Sequence, residues 1–115
     1  MLIKQIPIRN DLRNYMYLLA CEKTADAIAI DPLDHARCLK VADELGWTIK
    51  TVANTHHHHD HIGGNDQVIA ATGAKLVAHK DAMDLIPGVN TGLIAGDDLQ
   101  CGEITLKVMD TPGHT

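Results

Sequence analysis

The sequence predicts an α/β layered domain, helices packed on a mixed β-sheet, and three observations point there. The first strand candidates lie close enough in the chain to pair as antiparallel hairpins. Farther along, strand candidates alternate with helical stretches, the pattern of helices laid on a sheet. At 115 residues with 45% apolar content, the chain supports one modest core, so residues 1–115 are read as a single domain. Aromatic content is only 3%, with no Phe, so that core must be built from aliphatic side chains and Met.

The elements follow in order. Residues 2–8, "LIKQIPI", form a short strand whose Pro7 argues for a sheet edge. Residues 10–14 make a polar turn. In "YMYLLACE" (15–22) both alternating faces are apolar, as in a strand buried on both sides. "KTAD" turns the chain and residues 27–31 return as a third strand. A helix over 35–45 is predicted by Asp34 as N-cap, by Cys38, Val41, Ala42 and Leu45 at helical spacing, and by Gly46 past its end. Residues 48–55 read as the next strand. A second helix is expected from an Asn65 cap to near Gly73. Residues 75–80 form a strand, 81–88 a helical turn and 91–98 a loop. Two strand segments hinged at Cys101-Gly102 close the chain.

Charge and composition exclude several functions. Ten basic against 15 acidic residues leave a net charge of −5, which supplies no attraction for nucleic acid or an anionic membrane. No apolar run reaches membrane-spanning length, and the first residues lack a secretory pattern, so the reading is cytoplasmic. Cys21, Cys38 and Cys101 are odd in number and widely spaced, against a disulfide scaffold or a cysteine zinc knuckle; they read as buried small hydrophobes. There is no Ser in the chain to act as a nucleophile.

The chemistry concentrates in "NTHHHHDHIGGN" (54–65), where a strand ends and a loop begins. Being internal and interrupted by Asp60, the run does not look like an expression tag. In an extended segment His56 and His58 point the same way, while His57 and His59 point oppositely. Asp60 and His61 come where Gly63-Gly64 lets the backbone bend. Such a loop offers two imidazoles to one metal and a carboxylate with an imidazole to a neighbour, a donor set suited to zinc and also to iron or manganese. "TPGHT" at 111–115 supplies a further candidate, His114, after a strand and a Pro-Gly turn.

Together "THHHHDHIGG" and "DTPGHT" resemble the metallo-β-lactamase-fold hydrolases, most closely their glyoxalase II-like (hydroxyacylglutathione hydrolase) branch. The resemblance runs the length of the chain, including "IDP" at 30–32 before the first helix. It implies the N-terminal half of an αββα sandwich, with helices on one face of the mixed sheet. It also implies that His56, His58 and His114 bind one metal, that Asp60 and His61 bind a second, and that Asp60 helps to orient a metal-activated hydroxide. His57 and His59 fall at variable positions as non-ligands, and His35 and His79 read as surface histidines. Asp31 and Asp110 are strand-end aspartates, either caps or hydrogen-bond acceptors near the site. The cofactor implied is zinc, up to two ions, and the partner a small-molecule thioester.

The family's domain is about twice as long, and its later metal-bridging aspartate and histidine have no counterpart here. The chain therefore reads as a fragment of a longer hydrolase, inactive or weakly active alone, with a sheet face exposed to self-association. Two alternatives stand beside thioester hydrolysis: a persulfide dioxygenase using one iron, and a non-catalytic histidine-rich metal-binding module.

Overall fold

The computed structural model describes residues 1–8 and 14–113. Its main sheet has six strands in sequence order: β1 (Leu2–Pro7), β2 (Tyr15–Ala20), β3 (Asp26–Ile30), β4 (Thr48–Ala53), β5 (Lys75–His79) and β6 (Thr91–Leu93). β1–β2 and β2–β3 pair antiparallel, while β3, β4, β5 and β6 run parallel. β1 is an edge, as Pro7 requires. The parallel half depends on helical crossovers: α1 (His35–Leu45) joins β3 to β4, and α2 (His59–Ile62) with α3 (Asn65–Thr72) joins β4 to β5.

Local signals explain the predicted elements. The Asp34 carboxylate accepts the Arg37 N–H at 3.2 Å, and Gly46 ends α1 in the left-handed conformation, φ +71°. Cys38 and Ala42 are buried and Val41 packs on the core, but Leu45, expected inward, is exposed. Asn65 differs too. It is the first residue of α3, with Gly64 at the cap position, because its side chain is used elsewhere. α2 and β6 were not anticipated. Four residues of mixed polarity and a three-residue "TGL" are too short to show a period.

The two faces of the sheet bury different sets. Met16, Leu18, Ala20, Ala27, Ala29 and Leu76 meet α1 and α3 in the larger core. β4 carries a bulge at Lys50, since Ala27 pairs with Ile49 and Ile28 with Thr51. That extra residue lets Ile49 and Val52, three apart, both reach the helix face. On the opposite face Leu19 and Ile28 are covered by a separate antiparallel hairpin, β7 (Asp98–Cys101) and β8 (Ile104–Lys107), through Cys101, Leu99 and Leu106. The cover is partial. Ile3, opposite Leu19, and Tyr15 remain exposed. Among the described residues no helix is long and apolar enough to cross a membrane.

Candidate metal centre

β3, β4, β5 and β6 are parallel, so their C-terminal ends share one sheet edge, the usual location of ligand sites in such sheets. Asp31 follows β3 there, the histidine loop follows β4, and His79 ends β5. The loop is closed at its neck by two buried amides. Asn54 Nδ2 donates to Asn65 Oδ1 at 3.1 Å and Asn65 Nδ2 donates to Asn54 Oδ1 at 2.6 Å. Below the loop, Gly64 lies so close to the Pro32 carbonyl that a Cβ would stand 1.9 Å from its oxygen.

Asp31 is the organising carboxylate. It is 4% exposed and has φ +50°, a left-handed conformation that Asp tolerates better than most non-glycine residues. Its Oδ1 accepts the Thr55 N–H at 2.8 Å, and its Oδ2 accepts the Thr55 hydroxyl at 2.5 Å and faces His61 Nδ1 at 3.0 Å. With Nδ1–H donating to Asp31, His61 holds Nε2 as its basic nitrogen, 3.5 Å from Asp60 Oδ2. A carboxylate behind an imidazole in this way is the usual support of a metal-ligating histidine.

α2 gathers the rings. His58 occupies its N-cap, and the His61 N–H donates to the His58 carbonyl at 2.9 Å. The His56 ring centroid is then 4.0 Å from that of His61 and 4.8 Å from that of His58. Thr55 Oγ1 is 2.8 Å from His56 Nδ1, so this hydroxyl links His56 to Asp31. His59 is exposed, and His57 stays near, 5.0 Å from His58. His114 lies outside the described residues.

Asn14 was read only as part of a turn. Its amide donates to Asp60 Oδ2 at 2.8 Å and to the Asp60 carbonyl at 3.0 Å. That amide hydrogen bond, aided by the neighbouring imidazoles, holds the Asp60 carboxyl below its ordinary value of 3.8 and keeps it ionised. His79 is more than a surface histidine. Its Nδ1 accepts the Asp81 N–H at 3.0 Å, which leaves Nε2 as the nitrogen facing Asp110 Oδ1 at 3.2 Å. A cleft of about 550 Å³ opens beside the histidines, lined by Ala53, His57, Val77, His79, Leu93 and Met109 among others.

The sequence model of the Metallo-beta-lactamase superfamily matches residues 14–115. The chain belongs to that superfamily. Hydroxyacylglutathione hydrolases from Nitrosococcus oceani and from a Polaromonas species are each 53% identical to it over 116 residues, covering 100% of this chain and 44% of the relative. The chain thus spans less than half the length of these curated relatives. Among solved structures, ETHE1 from Myxococcus xanthus superposes with a TM-score of 0.88 at 32% identity, covering 100% of this chain and 50% of that one. A metallo-beta-lactamase from Staphylococcus aureus gives 0.83 at 34% identity, covering 100% and 36%.

The donors present suit the metal that this superfamily is named for. One ligand atom each from Asp31, His56 and His61 lie within 4.8 Å of one another. Both Asp31 oxygens already accept hydrogen bonds, however, so it is better suited to support a ligating imidazole than to ligate. Replacing it tests that role. Asp31→Ala removes the acceptor of four bonds, from Asn54, His61 and twice from Thr55, and leaves alanine at positive φ; it is expected to cost about 3 kcal/mol of stability. Asp31→Asn keeps the backbone conformation and should cost less stability, yet weaken zinc binding roughly 10–100-fold. Urea unfolding and a zinc titration read the two effects; equal zinc affinity in Asp31→Asn and the unsubstituted protein would contradict it.

Proposed function

We propose that this chain is the metal-binding part of a longer metallo-β-lactamase-fold domain, one that hydrolyses thioesters of the hydroxyacylglutathione type. The reading is carried by the Asp31–His61 pair, which fixes an imidazole with Nε2 beside the Asp60 carboxylate and its ring close to that of His56. The name shared by the curated relatives supports the substrate class. His56, His58 and His114 would hold one ion and Asp60 with His61 a second, with zinc the first choice and iron or manganese also compatible.

Bound there, such ions would lower the pKa of water toward ~7, and so would supply hydroxide at neutral pH and polarise the scissile carbonyl. The chain's own residues do the positioning. Asp31 fixes the tautomer and direction of His61, Thr55 ties His56 to the same carboxylate, and Asn14 keeps Asp60 charged and aimed. The cleft beside them offers apolar walls from Val77, Leu93 and Met109 to the acyl or thiol portion of a small substrate.

The test uses the full-length protein loaded with zinc and a hydroxyacylglutathione, following thiol release. Release that disappears on chelation and in His56→Ala is the expected result. Oxygen consumption without thiol release, or release indifferent to chelator, would overturn the proposal.

A further inference from the structure

At the opposite edge of the sheet from the metal centre, two of the three cysteines meet. Cys21 directly follows β2 and Cys101 ends β7. The Cys21 N–H and the Cys101 thiol both donate to the Asp26 carbonyl oxygen, at 2.9 and 3.2 Å. In return the Glu103 N–H, from the β7–β8 turn, donates to Cys21 Sγ at 3.5 Å. Between them Gly102, at φ +57°, has no room for a side chain: a Cβ there would stand 3.0 Å from Cys21 Sγ and 2.7 Å from Cys21 Cβ. The turn of the hairpin is thus pressed directly onto Cys21.

The two thiols differ in character. Hydrogen bonds from the Glu103 N–H and from Thr24 bring the Cys21 thiol down to about 7, which makes it the more readily ionised of the two. Burial raises Cys101, and the nearby charge of Cys21 raises it further. Cys38, in α1 on the other face, is pushed up by burial to about 11. Cys21 is 2% exposed and Cys101 3%, so a reagent reaches the pair only as the turn of the β7–β8 hairpin lifts away, beside an open depression of about 290 Å³ shared with Met1, Lys23 and Glu103.

We propose that Cys21 and Cys101 are a modification site, closing to an intramolecular disulfide on reaction with a low-molecular-weight disulfide such as oxidised glutathione. The Cys21 thiolate attacks one sulfur of the reagent, whose S–S bond breaks and releases one thiolate. Cys101 loses its proton to solvent and attacks the Cys21 sulfur, releasing the second thiolate. Two protein thiols are oxidised and one external disulfide is reduced to two thiols. The new bond ties the β7–β8 hairpin to the β2–β3 turn, at a distance from the metal ligands.

The experiment incubates the full-length protein with oxidised glutathione, blocks remaining thiols with an alkylating reagent under denaturing conditions, and maps the peptides. The expected result is loss of two alkylatable thiols, a peptide pair joined through Cys21 and Cys101 within one chain, and Cys38 alkylated. Cys101→Ser should instead retain a glutathione adduct on Cys21, and Cys21→Ser should leave Cys101 reduced. A stable adduct on Cys21 of the unsubstituted protein, a bond between two chains, or no thiol loss would each overturn the proposal.

Discussion

Gly64→Ala is expected to destabilise this protein by about 3 kcal/mol or more, lowering its melting temperature by roughly 10 °C or more. The cause is contact rather than conformation. Gly64 has φ −98°, which any residue adopts, but an added methyl would meet the Pro32 carbonyl at 1.9 Å and the Leu33 carbonyl at 2.7 Å. Both obstacles are backbone, and neither can swing aside like the end of a side chain. Relief would need the 31–33 segment to part from the start of α3, and that segment carries Asp31, the support of His61. Stability and zinc affinity should therefore fall together. Gly73→Ala is the control: φ is +71° there but nothing lies within 4 Å, so its cost should be nearer ~1 kcal/mol. Thermal melts of the two variants compare these causes, and equal losses would refute the contact argument.

The second large effect concerns which histidines matter. His56→Ala combined with His58→Ala should weaken zinc binding more than a hundredfold, since replacing even a group behind a ligand typically costs 10–100-fold. His57→Ala combined with His59→Ala should change it by no more than roughly threefold. The distinction rests on placement. His56 sits between His58 and His61 and is linked through Thr55 to Asp31, whereas His59 is exposed at the start of α2. Competition against a chelator of known affinity measures both. A histidine-rich reservoir with no defined centre would lose comparable affinity in the two variants.

What could be read from the sequence was local. Asp34 and Gly46 bracket α1, the apolar run in 15–20 announces a strand, which is buried on the helix side and only partly on the other, and Gly102 marks the hairpin. The expectation that His56 and His58 face together, with His57 turned away, came from extended geometry; the rings of His56 and His57 lie almost equally near that of His58, at 4.8 and 5.0 Å. What brings His61 to His56 is different: a four-residue helix with too few positions to show a period. The supporting groups were hidden for another reason. Asn14 reaches Asp60 across 46 positions and Asn54 meets Asn65 across a loop. Nothing in either residue's immediate neighbours signals such pairings, because they arise only once the β3 and β4 ends and α3 have packed. Asp31 was legible as an aspartate at a strand end. Its hold on Thr55 and His61 was not, since it depends on a left-handed backbone at Asp31 that nothing in the neighbouring residues announces.

The central claim is that imidazoles from the loop after β4 surround a metal ion at the C-terminal edge of the sheet. Anomalous diffraction from crystals of the zinc-loaded full-length protein locates the ion directly. A peak about 2.1 Å from ring nitrogens of both His56 and His58 is the predicted result. Zinc held instead by His57 and His59, or seated beyond coordinating distance of His56, His58, Asp60 and His61 alike, would contradict the account.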